Sequence, residues 1–157
     1  NLMSGRSIKM SSSILSQLIR LGPADREERL HREMVEHIIE FLKLEAFRRV
    51  PVGALPYGLQ KRVDLGRALA MEPKVLLLDE PMAGMNVEEK QDMSRFILDV
   101  NDQFGTTIVL IEHDMGVVMD LSDRIVVLDY GRQIADATPS EVASDPEVIR
   151  AYLGESN

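Results

Sequence analysis

Apolar positions with a helical period dominate the first third of the chain. Between Asp25 and Phe47 they recur at every third or fourth residue, and Arg and Glu fill most positions between them. This period predicts one amphipathic helix with a buried stripe. The stripe consists of Leu30, Met34, Val35, Ile38, Ile39 and Leu42. We expect His31 and His37 of the same helix to lie at the surface or at the boundary of the core.

Other helices are predicted by the same period and by their end signals. A weak stripe in the serine-rich segment before a turn at Gly22-Pro23 comprises Ile14, Leu15, Leu18 and Ile19. Helices are also predicted over residues 59–71 and 115–121. Asn86 and Glu89 are placed as a capping box that starts a longer helix, and Gly105 ends that helix. Its apolar face consists of Met93, Phe96, Ile97, Val100 and Phe104.

Two short apolar runs predict strands. Val75–Leu78 lies between Pro73 and Pro81, and Thr106–Ile111 follows the next predicted helix. Runs of this length, apolar at successive positions, are typical of strands buried on both faces of a parallel sheet. Two further strands, over 124–128 and 133–135, are joined by a turn at residues 129–131. Alternation of such strands with helices predicts the α/β class.

Two helix starts carry sequence signals of their own. Pro56 and Gly58 predict a turn before the helix over 59–71. The free N–H groups and the positive dipole end of that helix suit an anion, although an ordinary turn and helix is the simpler interpretation. Thr138 and Glu141 form a second capping box, with Pro139 at the first helical position.

Polar residues follow both predicted parallel strands. Asp79 and Glu80 end the first run, and His113 lies just after the second. Ligands of open α/β sheets bind beyond the carboxyl ends of the strands, so these side chains would face one crevice. Two carboxylates there could serve a metal ion and a water molecule. Taken alone, the pattern slightly favours buried strands stopped by polar turn residues.

Composition narrows the class of protein. The 157 residues have 45% apolar content and no Cys, which excludes disulfides and thiolate metal sites. No apolar run reaches the roughly 20 residues that span a bilayer, so we expect a cytosolic protein. The net charge of −8 argues against a nucleic-acid partner. Residues 1–50 hold 9 basic and 7 acidic residues, whereas residues 51–157 hold 9 basic and 19 acidic residues. This change in charge predicts a subdomain boundary near Val50–Pro51.

Several motifs follow one another in a specific order. They are Leu55–Gln60, Val75–Glu80, Ala83–Asn86, His113 and the turn at 130–132. In this order they resemble the signature, Walker B strand, D-loop, switch histidine and C-terminal turn of ABC-type ATPases, the nucleotide-binding subunits of ABC transporters. The resemblance covers almost the whole chain and matches the C-terminal two-thirds of the family. The sequences of residues 55–58, 83–86 and 148–154 narrow it to ATP-binding subunits of branched-chain amino acid importers.

The resemblance implies a partial ABC-type P-loop ATPase fold. Residues 1–50 would be part of a helical subdomain that meets the membrane subunits. Residues 51–157 would hold the signature helix and a parallel-sheet core with small C-terminal strands and helices. The implied partners are transmembrane permease subunits and a second ATP-binding subunit, at the inner face of the plasma membrane.

The resemblance also implies roles for individual residues. Asp79 would hold Mg²⁺, Glu80 would orient or deprotonate the attacking water, and His113 would bind the γ-phosphate. The residues implied in binding ATP, mainly the nucleotide held by the second subunit, are Leu55, Pro56, Tyr57, Gly58, Leu59, Gln60 and Asn86. Pro56, Tyr57, Leu59 and Asn86 depart from the usual residues of the family. Phosphate contact would therefore fall on Gly58 and the N–H groups that follow it.

A phosphate loop is missing from this sequence. The motif needs Gly-x-x-x-x-Gly-Lys-Ser/Thr, whose backbone amides cradle the phosphates. None of the lysines follows a Gly or precedes Ser or Thr; they are Lys9, Lys43, Lys61, Lys74 and Lys90. We therefore expect the chain to be a fragment that is inactive by itself. A regulatory module that keeps the fold without nucleotide, and an ABC ATPase acting on DNA or ribosomes, are the alternative hypotheses.

Overall fold

The computed structural model describes residues 2–6 and 23–153. The weak stripe predicted over 14–19 and the turn at Gly22 lie outside these residues. The elements are α1 (Leu2–Arg6), α2 (Pro23–Phe41), α3 (Tyr57–Leu69), β1 (Val75–Asp79), α4 (Val87–Phe104), β2 (Thr107–Ile111), α5 (Met115–Leu121), β3 (Ile125–Asp129), β4 (Arg132–Ala137), α6 (Pro139–Ser144) and α7 (Pro146–Leu153). Short 3₁₀ turns cover Glu45–Phe47 and Val52–Ala54. Within the described residues, no helix combines the length and apolarity needed to cross a membrane.

The chain divides into two compact units. The first contains the described residues up to Leu77 together with Pro81–Val109, and the second contains Leu78–Glu80 and the residues from Leu110 onward. The carboxyl ends of β1 and β2 therefore belong to the same unit. The boundary predicted near Val50–Pro51 from the charge distribution stays a prediction.

Strands β1 and β2 pair in parallel. The N–H of Thr107 donates to Lys74 O at 2.9 Å where the two strands begin, and the N–H of Glu80 donates to Ile111 O at 2.9 Å where they end. The strands therefore run in the same direction, with α4 as the connection between them. The predicted α/β class with parallel strands is confirmed.

The burial predicted for these strands is wrong. Leu76 is buried, whereas Leu77 is 73% exposed and Val75 is 53% exposed. In β2, Val109 and Ile111 are exposed as well. Successive side chains of a strand point to opposite faces, so one face of this two-stranded sheet is buried or half-buried and the other is exposed. The apolar run alone does not distinguish one buried face from two.

Helix α2 ends at Phe41, six residues before the predicted end. Lys43 adopts a left-handed conformation with φ 54°. The N–H of Leu44 donates to Ile39 O at 2.9 Å and the N–H of Lys43 donates to Glu40 O at 3.0 Å. This is a Schellman ending, which usually has Gly where Lys43 stands, so the sequence contained no strong stop signal. The stripe is also rotated, because Val35, Ile38 and Leu42 are buried whereas Leu30 is 60% exposed.

His31 is buried, so the prediction of a surface or boundary position is wrong for it; His37 is exposed as predicted. Arg6, which is also buried, explains the difference. Its Nε donates to His31 Nδ1 at 2.9 Å, and its Nη1 donates to Ala70 O at 3.0 Å and pairs with Glu72 Oε1 at 2.9 Å. One guanidinium thus joins α1, α2 and the end of α3. These partners are far apart in sequence, so no local pattern indicated them.

We expect replacement of Gly66 by Ala to destabilise the first unit. An added Cβ would lie 2.5 Å from Leu2 Cδ2, 2.9 Å from Leu42 Cδ1 and 3.3 Å from Ile38 Cγ2. Overpacking of this kind costs about 1–3 kcal/mol, against a gain of about 1 kcal/mol in helix propensity. Gly66→Ala should therefore lower the free energy of unfolding by about 1 kcal/mol in denaturant titrations. Gly53→Ala is the control, because no atom lies within 4 Å of its added Cβ; equal stability of the two variants would contradict this packing.

The second unit contains an antiparallel hairpin packed on two short helices. Strands β3 and β4 pair through a two-residue turn in which Tyr130 and Gly131 both have positive φ, at 43° and 79°. That geometry is a type I′ turn, which favours Gly. The core of the unit consists of Ile125, Val127, Val142 and Val148. The capping box predicted before α6 is confirmed, with the N–H of Thr138 donating to Glu141 at 3.0 Å.

Acid should weaken the hairpin through Asp136. Arg124 donates to both of its carboxylate oxygens, at 2.5 and 2.7 Å, and these hydrogen bonds lower the pKa of Asp136. The stability that the pair contributes is therefore present above the unfolded pKa of about 4 and is lost as the pH falls through the folded pKa. We expect the difference in Tm between wild type and Asp136→Asn to shrink below about pH 4. A difference in Tm that stays constant as the pH falls below about 4 would contradict the pairing.

Candidate functional site

Glu80 and His113 lie together where β1 and β2 end. His113 Nδ1 is 3.2 Å from Glu80 Oε1, and both side chains are exposed to solvent. Glu80 has a left-handed backbone with φ 44°, which is uncommon for a residue other than Gly, and its N–H is bonded to Ile111 O. Strained backbone of this kind is concentrated at functional sites. The structure thus brings together two of the side chains that the sequence singled out for catalysis.

Asp79 directly precedes this pair and is the last residue of β1. It is exposed and belongs to the same compact unit as Glu80 and His113. In the described part of the chain, no group of three or more His, Cys, Asp or Glu side chains is arranged to hold a metal ion. An ion bound at Asp79 would therefore need further ligands from a nucleotide or from water, as is usual for Mg²⁺.

Glu112 was not singled out by the sequence reasoning. Its side chain is only 3% exposed, and its Oε2 lies 4.0 Å from His113 Nδ1. The next residue but one, Asp114, caps α5 by accepting a hydrogen bond from Val117 N at 3.4 Å. His113 therefore lies between a buried carboxylate and the start of α5. The only sequence signal for Glu112 was its position beside the histidine.

We use the name signature turn for residues 55–60. Pro56 is the N-cap of α3, and the helix begins at Tyr57, two residues earlier than predicted. Gly58 lies in the first helical turn and does not form the predicted turn before the helix, so that detail of the prediction is wrong. The N–H groups of the first helical residues have no partner within a helix and are available to an anion. Leu55 is buried, and its carbonyl accepts a hydrogen bond from Gln60 Nε2 at 2.8 Å.

The D-loop, residues 83–86, leads into α4. The predicted capping box is confirmed: the N–H of Glu89 donates to Asn86 Oδ1 at 3.0 Å, and the N–H of Asn86 donates to Glu89 Oε2 at 3.1 Å. Gly105 ends α4 with φ 61°, also as predicted. The signature turn and the D-loop both belong to the first compact unit. The structure therefore brings the sequence-predicted site residues together in two groups, one in each unit.

Two family models match the chain. The model described as "ABC transporter" matches residues 3–83, which is about half of the chain. The model described as "Branched-chain amino acid ATP-binding cassette transporter" matches residues 132–156. The two matches lie in different parts of the sequence, so they are independent of each other.

Curated relatives match over nearly the full chain. It is 37% identical over 156 residues to the high-affinity branched-chain amino acid transport ATP-binding protein BraF of Pseudomonas aeruginosa. It is 35% identical over 156 residues to the corresponding protein LivG of Salmonella typhimurium. Each match covers 99% of this chain and 61% of the relative. The chain thus spans about three-fifths of the length of these relatives.

Solved structures match at a similar level. The ADP conformation of MJ1267, an ATP-binding cassette of an ABC transporter, superposes with a TM-score of 0.75 at 32% identity. That match covers 96% of this chain and 60% of the other. A nucleotide-free ATP-binding cassette from an ABC transporter also has a TM-score of 0.75, at 30% identity, with coverage of 98% and 63%.

Proposed function

The chain belongs to the ABC transporter family, and from this membership we propose that the full-length protein is the ATP-binding subunit of an importer for branched-chain amino acids. The family and the ABC-type ATPase fold expected from the sequence are confirmed. Because the chain spans about 61% of its curated relatives, ATP hydrolysis, substrate and partners are proposed for the full-length protein. The solute is suggested by the names of the relatives and by the short C-terminal match.

The contact between Glu80 and His113 is the observation that carries the proposal. Glu80 is the general base that orients or deprotonates the attacking water, and His113 hydrogen-bonds the γ-phosphate. Their side chains lie 3.2 Å apart, so a water near Glu80 would also be within reach of the phosphate near His113. Positioning and electrostatic stabilisation are the main sources of rate in phosphoryl transfer. Glu80 and His113 are exposed and closely follow β1 and β2, so both can reach a bound phosphate and its attacking water.

The residues present also fit a magnesium ion. Mg²⁺ prefers oxygen ligands and is commonly bound by one or two carboxylates together with substrate phosphates and water. Asp79 would hold the ion, directly or through water, at the exposed end of β1. When bound, the ion neutralises charge on the phosphate oxygens. Glu80 keeps its own position through the N–H bonded to Ile111 O.

The signature turn would serve a nucleotide held by a second subunit. Pro56 has no N–H, so the first free donors are those of Tyr57, Gly58 and Leu59 at the start of α3. Backbone donors and the helix dipole at such a start attract phosphate. We therefore propose a dimer of ATP-binding subunits that assembles with transmembrane permease subunits at the cytoplasmic face of the membrane.

A stimulation assay tests this proposal. We expect the purified full-length protein to hydrolyse Mg-ATP and the rate to rise when the permease subunits and a branched-chain amino acid with its binding protein are present. If DNA or ribosomes stimulate hydrolysis and no permease does, the protein is a non-transport ATPase and not an importer subunit. No hydrolysis under any of these conditions would favour a nucleotide-free module.

A further inference from the structure

Glu89 connects the D-loop, residues 83–86, with the signature turn, residues 55–60. In the first turn of α4 its Oε2 accepts the N–H of Asn86 at 3.1 Å, which fixes one end of the carboxylate on the D-loop. Asn86 in turn accepts the backbone N–H of Glu89 at 3.0 Å. The carboxylate cannot move away without opening this capping box. Its position is therefore tied to the last residue of the D-loop.

The other carboxylate oxygen of Glu89 lies against the signature turn. A Cβ built on Gly58 would be 2.4 Å from Glu89 Oε1 and 2.7 Å from its Cδ. Real Cβ atoms essentially never approach other atoms this closely, so an Ala at position 58 would push the Glu89 carboxylate aside. A second contact lies beside it: the Tyr57 ring would be 3.3 Å from a Cβ on Gly84, which has φ +74°. The signature turn and the D-loop thus touch through two glycines.

The two helices that follow these loops are joined separately. Arg62 Nη2 lies 2.5 Å from Asp92 Oδ2, and its guanidinium lies 5.1 Å from the centre of the Phe96 ring. The Arg62 side chain is only 14% exposed. The Asp92 side chain is 37% exposed, so the ion pair is partly shielded from solvent. The starts of α3 and α4 are therefore braced one turn beyond the contact of Glu89 with Gly58.

We propose that Glu89 is a positioning residue that makes the signature turn and the D-loop move as one body. This inference rests on the proposed function. The Glu89 carboxylate packs against Gly58 on one side and accepts the N–H of Asn86 on the other, so a displacement of Gly58 towards Glu89 is passed on to Asn86. Without Glu89, α3 and α4 stay joined through Arg62 and Asp92, but the D-loop loses its fixed position relative to Gly58. The two ATP-binding subunits then close incompletely around the nucleotide.

The test is steady-state ATP hydrolysis by the full-length protein. We expect Glu89→Ala to lower kcat by roughly 10- to 100-fold, since small misplacements of a catalytic arrangement cost this much. The affinity of the isolated subunit for ATP should stay unchanged, because phosphate-loop binding does not involve Glu89. Glu89→Gln should restore kcat, because its amide oxygen can accept the Asn86 N–H and it fills the same space. Glu88→Ala is the control, since it removes the same charge from the same exposed helix start.

The outcomes separate this inference from the proposed function. A kcat for Glu89→Ala equal to that of Glu88→Ala, measured well below the Tm of both, would overturn the positioning role even if the Tm falls. So would a Glu89→Gln variant as slow as Glu89→Ala. A wild-type protein without any ATP hydrolysis would overturn the proposed function, and this inference with it. If Glu89→Ala is slow while wild type, Glu89→Gln and Glu88→Ala are fast, the result supports both the positioning role and the proposed function.

Discussion

Replacement of Glu80 by Gln should stop steady-state ATP hydrolysis while leaving ATP binding intact. The substitution keeps the size of the side chain and its hydrogen bonds but removes the group that takes a proton from water. Loss of a general base costs about 10²- to 10⁴-fold in rate. The backbone of Glu80, held at φ 44° by the bond to Ile111, does not depend on the charge. We therefore expect phosphate release to fall to background in the full-length variant.

Trapped nucleotide is the second readout for this variant. Full-length Glu80→Gln incubated with radiolabelled ATP and Mg²⁺ should retain ATP through gel filtration, whereas wild type should retain little. Glu147→Gln, in the exposed first turn of α7, is the matched control and should behave as wild type. Normal steady-state hydrolysis by Glu80→Gln would exclude the catalytic role.

Replacement of His113 by Ala should have the next largest effect. His113 Nδ1 lies 3.2 Å from Glu80, and the ring would donate to the phosphate that is attacked. Removing one preorganised donor from a developing charge typically costs about 10²- to 10³-fold in kcat. Because ATP would still be held by the phosphate loop of the full-length protein, its affinity should change little.

His37→Ala is the control for this variant. His37 is exposed on α2, in the other compact unit, where its ring lies 5.9 Å from that of Phe104. Malachite-green assays over a range of ATP concentrations separate kcat from KM. A His113→Ala variant whose KM rises while kcat stays at the wild-type value would show that His113 contributes to binding alone.

The parts of the fold with local sequence signals could be predicted. Both capping boxes and the helix end at Gly105 depend on residues a few positions apart, and each was found as expected. The parallel order of β1 and β2 was indicated by two short apolar runs with a helical segment between them. The end of α2 was missed because Lys43 occupies a left-handed position that Gly usually fills. A local rule fails where a less common residue adopts the same backbone conformation.

Contacts between distant residues could not be predicted. The burial of His31 depends on Arg6, which is 25 residues away, and the fit of Glu89 against Gly58 joins residues 31 positions apart. No periodicity encodes such pairs. Distances within the site could not be predicted either. The order of motifs indicated which residues to examine, but only the structure gave the distance between Glu80 and His113. The roles assigned to Asp79, Glu80, His113, the signature turn and Asn86 all stay predictions.

Calorimetric titration of Mg-ATP tests the central claim most directly. In the proposed function, Asp79, Glu80 and His113 of this chain would hold the metal, activate water and contact the γ-phosphate. The phosphate-loop motif that would cradle the phosphates does not occur in these 157 residues. We expect saturable binding to the full-length protein and no detectable binding to residues 1–157 alone. Equal affinity of the two, or no binding to the full-length protein, would contradict the account.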